Sequence, residues 1–247
     1  MRNSCLILLC GLAILALHLI ALSTALPEDH EDRLSKENDE CAKKAAIRLL
    51  EQTRSKIENL KTLKAEFTQE KHLSMLTEPV FSKGEFKYGS GRRFVWHYLP
   101  PDESITISDG KKIWLYFPAL KQLEVYDTEK FKTKSRAFEK LCLGFEKPLC
   151  DLTDTFSIEL ISETEDSFEI VLKPREESLS RMISDLKILV SKETGLPLRI
   201  KSLEPNGDRT TIEFSKMVLN PDLPDSTFSF CTPEGVTIDE KKNTLSY

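Results

Sequence analysis

The sequence has few of the residues and motifs on which catalysis and metal binding usually rest. It holds only four histidines and nine glycines in 247 residues. It lacks the serine-nucleophile motif G-x-S-x-G, the zinc motif H-E-x-x-H, the P-loop and the dinucleotide fingerprint. His72 and His97 lie in predicted strands without a cysteine or glutamate at metal-ligand spacing, and His30 lies in a charged segment. We therefore predict a protein that is not an enzyme and needs no metal or other cofactor.

An excess of basic residues is also missing. Lys and Arg number 35 against 40 Asp and Glu, so the net charge is −5. Nucleic-acid binding usually needs a basic surface. The mild acidity therefore argues against nucleic acid as a partner.

Long apolar runs are absent except at the start of the chain. Residues 6–22 are almost uninterruptedly apolar, follow Arg2 and precede Ser23-Thr24-Ala25. This layout is typical of a secretory signal peptide cut after Ala25, and a retained membrane anchor is the alternative. The expected division of the chain is a signal peptide at 1–25, a flexible lead-in at 26–37 and a single domain at 38–247.

Four cysteines remain once the signal is set aside: Cys41, Cys142, Cys150 and Cys231. An exported protein meets an oxidising compartment, and four cysteines allow three pairings. We favour Cys142–Cys150, which closes a short loop, with Cys41–Cys231, which would tie the N-terminal helix to the C-terminal strands. A zinc site built from all four is the alternative, although no C-x-x-C spacing supports it.

What the sequence does contain is one helical pattern followed by many strand patterns. Apolar residues from Ala42 to Leu60 recur at steps of three and four, which predicts an amphipathic helix of about 22 residues capped by Asn38 or Asp39. Residues 128–147 suggest one or two short helices. The predicted strands lie at 63–68, 86–88, 94–98, 105–108, 113–117, 123–125, 155–162, 167–173, 184–191, 197–203 and 209–217, with short closing strands at 226–230 and 236–238.

Short turns between these strands, such as Asp109-Gly110, favour antiparallel pairing. An antiparallel sheet of about eleven strands should curl to hide its edges. The predicted fold is mainly β (α+β): an incomplete antiparallel β-barrel or strongly curved sheet. The N-terminal helix and a short helical lid insert would cover it.

Large apolar side chains alternate along several of these strands and should share one face. A curved sheet under an amphipathic lid is suited to hold a hydrophobic ligand, and ordinary core packing is the alternative for each residue. The basic pair Arg92-Arg93 beside a turn is either a solvated strand end or a weak partner-docking site. The predicted cavity residues are Phe67, Phe86, Tyr88, Phe94, Trp96, Tyr98, Ile105 and Ile107 on the sheet, with Phe138 and Leu141 from the helical insert.

The segment FVWHYLPPDESITISDGKKIWLYFP (94–118) resembles the outer-membrane lipoprotein carrier (LolA) family. That family shows an F-x-W strand, a P-D-E-S segment, an S-D-G-K turn and a W-x-Y-x-P strand, in this order. The segments LKAEFTQE (63–70) and FSFCTPEGVTIDE (228–240) are similar to its first strand and its closing motif. Where many members carry Arg-Pro before the F-x-W strand, linked to lid closure, this chain has Ser90-Gly91.

The resemblance implies a monomeric periplasmic carrier without catalytic activity. It would bind lipoprotein acyl chains in the apolar cavity. It would receive lipoproteins from an inner-membrane ABC-type transporter and deliver them to an outer-membrane receptor. A lipid- or lipopeptide-sensing regulatory module of the same fold, located in the cell envelope, is the alternative.

Overall fold

The computed structural model describes residues 28–128 and 148–240. The chain divides into two units, Met1–Cys41 and Ala42–Tyr247. The predicted helical insert falls almost entirely outside the described residues, as do Phe138, Leu141 and Cys142 and the whole predicted signal peptide. In the residues that are described, none of the helices is long and apolar enough to cross a membrane.

Helix α1 spans Glu28–Glu58 and begins ten residues before the predicted start at Asn38. The sequence of its first turns is rich in Glu and Asp, residue types that favour the N-terminal end of a helix dipole, and Lys and Arg follow them. Charge pattern thus extends the helix through a segment that has no apolar rhythm. Near the other end, Arg54 donates to Glu51 at 2.6 Å and 2.9 Å and to Asp151 at 2.8 Å. The guanidinium lowers the pKa of Glu51.

Twelve strands form one sheet in the order β12-β6-β5-β4-β3-β2-β1-β11-β10-β9-β8-β7. All neighbours pair antiparallel except β12 with β6, which pair parallel. The sheet is open, with β12 and β7 at its edges. The strands are β1 Thr62–His72, β2 Val80–Gly89, β3 Arg93–Tyr98, β4 Ser104–Asp109, β5 Lys112–Phe117, β6 Gln122–Asp127, β7 Phe156–Glu163, β8 Ser167–Pro174, β9 Asp185–Ser191, β10 Pro197–Leu203, β11 Arg209–Leu219 and β12 Thr237–Glu240.

This architecture confirms the mainly β class and the open, curved antiparallel sheet with an N-terminal helix. The four-residue helix α2, Glu177–Ser180, lies between β8 and β9. The predicted closing strand at 226–230 is instead a 3-10 turn, Asp225–Phe228. Phe228 and Phe230 pack through their side chains against other strands, and the backbone of this segment belongs to no strand pair.

Two apolar clusters lie between the C-terminal part of α1 and the sheet. The aliphatic cluster joins Ala46, Leu49 and Leu50 of the helix to strands β7–β9, with side chains such as Ile170, Leu172, Ile188 and Val190 fully buried. The aromatic cluster lies under the end of the helix on strands β1–β3 and β11. Its buried members are Ile57, Leu60, Leu63, Ala65, Phe67, Phe86, Tyr88, Phe94, Trp96, Leu196 and Phe214.

The structure contradicts both predicted disulfides, because Cys41, Cys150 and Cys231 are free thiols. Cys150 lies in the 3-10 turn Leu149–Leu152 and packs inside the aliphatic cluster. Burial raises the pKa of its thiol to about 11, so the thiolate needed for disulfide exchange is scarce at neutral pH. Cys41 and Cys231 are exposed.

Candidate functional site

Five aromatic rings meet at the centre of the aromatic cluster. The Phe67 ring contacts Trp96 edge-on with centroids 4.7 Å apart and Tyr98 at 5.0 Å. Phe86 lies 4.6 Å from Trp96 and 5.9 Å from Phe214, and Trp96 lies 5.8 Å from Phe214. The rings thus form one continuous apolar surface across four strands.

Strand pairing brings these rings together. Phe86 is opposite Trp96 across β2 and β3, and Phe67 is opposite Phe214 across β1 and β11. Residues directly opposite each other point to the same face of a sheet. The period-two pattern in each strand then places Tyr88 and Phe94 on that face as well, and both are buried.

Gly84 provides the seat for the Phe67 ring. The two residues pair across β1 and β2. A Cβ atom at position 84 would overlap both the Phe67 ring and the carbonyl oxygen of His97. Phe67 can lie flat over β2 only because this position has no side chain. Neither Gly84 nor Phe214 belonged to the predicted site, although Phe214 follows the same alternation as Ile212.

The polar atoms of the cluster are unequally satisfied. The Tyr98 hydroxyl donates to Gln69 Oε1 at 3.0 Å, and burial raises the pKa of Tyr98 to about 12. The Trp96 indole is only 3 % exposed, and its Nε1 finds no hydrogen-bond acceptor among the described residues. Leaving a buried donor unpaired costs roughly 1–3 kcal/mol. A ligand oxygen that accepted this N–H would recover part of that cost.

Ile105 and Ile107 do not join the aromatic cluster, which corrects the prediction that all these residues share one face. Ile107 pairs with Val95, and Ile105 pairs with His97. Both isoleucines therefore share the face of Val95 and His97, opposite to Trp96. We call this the outer face. The five-residue connection Leu99–Glu103 sets this register by pairing Tyr98 with Ser104.

A third apolar cluster covers this part of the outer face. Phe228, from the chain after β11, packs on Val95 and Ile107. Phe230 lies 5.4 Å from Tyr116. The C-terminal segment therefore crosses the outer face before β12 joins β6.

The basic pair Arg92-Arg93 is divided between two roles. Arg93 donates to Asp225 at 2.6 Å, and its guanidinium lies 5.0 Å from the centre of the Phe228 ring. These contacts hold the C-terminal segment on the outer face. Arg92 is exposed with φ of 65°, and its carbonyl accepts a hydrogen bond from Ser108 Oγ at 2.8 Å. A docking role for the pair remains a prediction.

Within the described ranges, His, Cys, Asp and Glu form no group of three or more that could hold a metal ion. His72 Nε2 lies 2.6 Å from Glu70, and His97 Nε2 lies 2.9 Å from Glu103. Each of these histidines is therefore paired with a nearby carboxylate. The chemistry of the aromatic cluster is that of an apolar surface with an unpaired N–H donor.

Comparison with known proteins points in the same direction. The family model of the outer membrane lipoprotein carrier protein LolA matches residues 58–231. The outer-membrane lipoprotein carrier protein of Bordetella avium is 28% identical over 162 residues, covering 66% of this chain and 72% of that protein. That of Shewanella sediminis is 24% identical over 205 residues, covering 78% and 86%.

A solved structure shares the fold. The crystal structure of an uncharacterized conserved protein from Thermus thermophilus superimposes with a TM-score of 0.53 at 12% sequence identity. The match covers 80% of this chain and 99% of that one. At this identity the likeness concerns the fold alone.

Proposed function

Because the chain belongs to the outer membrane lipoprotein carrier protein (LolA) family, we propose that it is a monomeric periplasmic carrier that binds lipoprotein acyl chains at the aromatic cluster. Carriers of this family bind cargo and are not enzymes. The observation that carries the proposal is the continuous set of contacting rings on β1, β2, β3 and β11.

The free energy of transferring an acyl chain out of water favours such a site. Burial is worth about 0.8 kcal/mol per CH₂, so a chain of about twelve methylenes gains about 10 kcal/mol. Each ring pair contributes only about 0.5–1.5 kcal/mol beyond its burial. An acyl chain entering among Phe67, Phe86 and Trp96 would therefore replace contacts that are weaker than those it brings.

The wider route is also part of the proposal. An N-terminal signal cleaved after Ala25 would deliver the chain to the periplasm. An inner-membrane ABC-type transporter would load it with lipoprotein, and an outer-membrane receptor would unload it. Residues Phe138 and Leu141 would belong to a segment that closes over the bound chains.

Binding can be tested with the two tryptophans of the chain, because they lie on opposite faces of the sheet. Trp96 lies in the aromatic cluster, and Trp114 packs against the outer-face cluster. In Trp114→Phe, a diacylated lipopeptide should change the fluorescence of Trp96. In the matched Trp96→Phe protein, the fluorescence of Trp114 should stay constant. A response from Trp114 alone would contradict the proposed location.

Transport is tested separately by release of lipoprotein from inner-membrane vesicles. Purified carrier should release lipoprotein only when ATP and the transporter are present. Acyl binding without ATP-dependent release would contradict the shuttling role and leave the acyl site in place.

A further inference from the structure

A groove lies on the outer face of the sheet, away from the aromatic cluster. It has a volume of about 490 Å³ and is bounded by β1, β2, β11 and the loop after β3. Its lining includes Glu70, Phe81, Lys83, Leu99, Asp102 and Glu213. The proposed carrier function does not use this groove.

Strand register puts these side chains outside. Phe67 pairs with Gly84 and Phe214, which belong to the helix-covered face. Their neighbours Lys83 and Glu213 must then point to the opposite face. The amide of Leu99 donates to the carbonyl of Lys83 at 2.9 Å. This bond holds the loop Leu99–Asp102 as the second wall of the groove.

The lining is acidic. Glu70, Asp102 and Glu213 contribute three carboxylates against the ammonium of Lys83. Arg199 lies 3.9 Å from Glu213 but also pairs with Glu169 at the shorter distance of 3.1 Å. The Glu213 side chain is 58% exposed, so its charge is available to a partner.

An apolar rim adjoins these carboxylates. Phe81 is 69% exposed although it lines the groove, and Met75 and Leu76 of the β1–β2 connection are 88% and 53% exposed. This connection is held in place, because the Ser74 amide donates to Asp208 Oδ1 at 2.7 Å. Exposed apolar side chains beside a groove are typical of interaction sites.

We propose that this groove docks a basic segment of a partner protein. Lys or Arg side chains of the segment would face Glu70, Asp102 and Glu213, and its apolar side chains would cover Phe81 and Met75. An anionic membrane surface has the wrong charge for this lining. Because acyl chains would bind on the other face, the carrier could hold its partner and its cargo together.

The test uses a fluorescent twelve-residue peptide of alternating Lys and Leu, with a Glu-for-Lys peptide of the same length as its counterpart. Fluorescence anisotropy gives Kd for the full chain and its variants. We expect Glu70→Gln combined with Glu213→Gln to raise Kd for the basic peptide about tenfold, a change of about 1.4 kcal/mol. Phe81→Ser should also weaken binding.

A matched variant removes the same charge elsewhere. Glu165→Gln with Glu193→Gln alters two carboxylates in the β7–β8 and β9–β10 turns, outside the groove lining, and should leave Kd unchanged. Equal loss of binding in both double variants would mean only non-specific attraction and would overturn the proposal. So would equal binding of the basic and acidic peptides. Phe81-dependent binding to vesicles of anionic phospholipid, without peptide binding, would replace the protein partner by a membrane.

Discussion

The two apolar clusters beneath helix α1 share one face of the sheet but bury different side chains. The aliphatic cluster is dominated by Ile, Leu and Val, which interlock closely and carry no polar atoms. The aromatic cluster contains five tilted or edge-on rings, an unpaired indole N–H and a glycine seat. The contrast indicates that one half serves mainly stability, while the other is suited to exchange its internal contacts for a ligand.

The largest effect that separates the two halves should come from a deletion in the aliphatic one. Ile188 is fully buried, and Ile188→Ala should cost roughly 2–5 kcal/mol of unfolding free energy through lost burial and a cavity. Urea denaturation measures this cost. The protein that remains folded should bind lipopeptide with unchanged Kd, because Ile188 lies outside the aromatic cluster.

Phe67→Leu is the matched change in the aromatic half. It keeps an apolar side chain but removes the ring contacts with Trp96 and Tyr98, so Kd for lipopeptide should rise several-fold. If Ile188→Ala weakened lipopeptide binding as much as Phe67→Leu, the division of roles between the two clusters would be wrong.

Sequence periodicity was sufficient to predict most of the aromatic half. Phe67, Phe86 and Trp96 alternate with polar neighbours, and period two alone puts each on the inward side of its strand. Pairing between strands was harder to foresee. The length of the Leu99–Glu103 connection decides which face β4 presents, and one residue of slip inverts that face. Ile105 and Ile107 were misplaced for this reason.

Two other features depended on interactions that a pattern does not encode. Cys150 is kept reduced by burial among aliphatic side chains that are distant in sequence. Helix α1 extends upstream of its apolar stripe because charged residues continue it. Both outcomes depend on partners and charge order, whereas the prediction used spacing and compartment.

A second comparison of the halves uses alkaline pH, since each contains a buried weak acid. Burial raises the pKa of Cys150 from 9.0 to about 11 and that of Tyr98 from 10.0 to about 12. A raised pKa means that the folded protein holds the proton more tightly than the unfolded chain. Stability is therefore complete below pH 9 and falls through pH 9–11 for Cys150 and pH 10–12 for Tyr98.

The two contributions can be separated by substitution. Each should amount to roughly 1–2 kcal/mol at the top of its range. Cys150→Ala should remove the lower part of the decline and Tyr98→Phe the upper part, measured by urea denaturation at each pH. Identical profiles for the wild type and both variants would show that neither group carries the effect.

The smallest predicted effect concerns the unpaired indole donor of the aromatic half. If an acyl chain enters beside Trp96, its ester carbonyl is the natural acceptor for Nε1. Trp96→Phe keeps an aromatic ring but removes this N–H, so it should weaken binding of an ester-linked lysolipid beyond any loss of packing. We expect a change of about 1 kcal/mol, or roughly fivefold in Kd.

An ether-linked lysolipid of the same chain length separates the hydrogen bond from packing. It lacks the carbonyl, so the N–H can contribute little to its binding. The ratio of ester to ether affinity, measured by calorimetry, should favour the ester in the wild type and approach one in Trp96→Phe. A ratio that is the same in both proteins would mean that the indole serves only as apolar wall, and the contrast between the halves would then rest on ring packing alone.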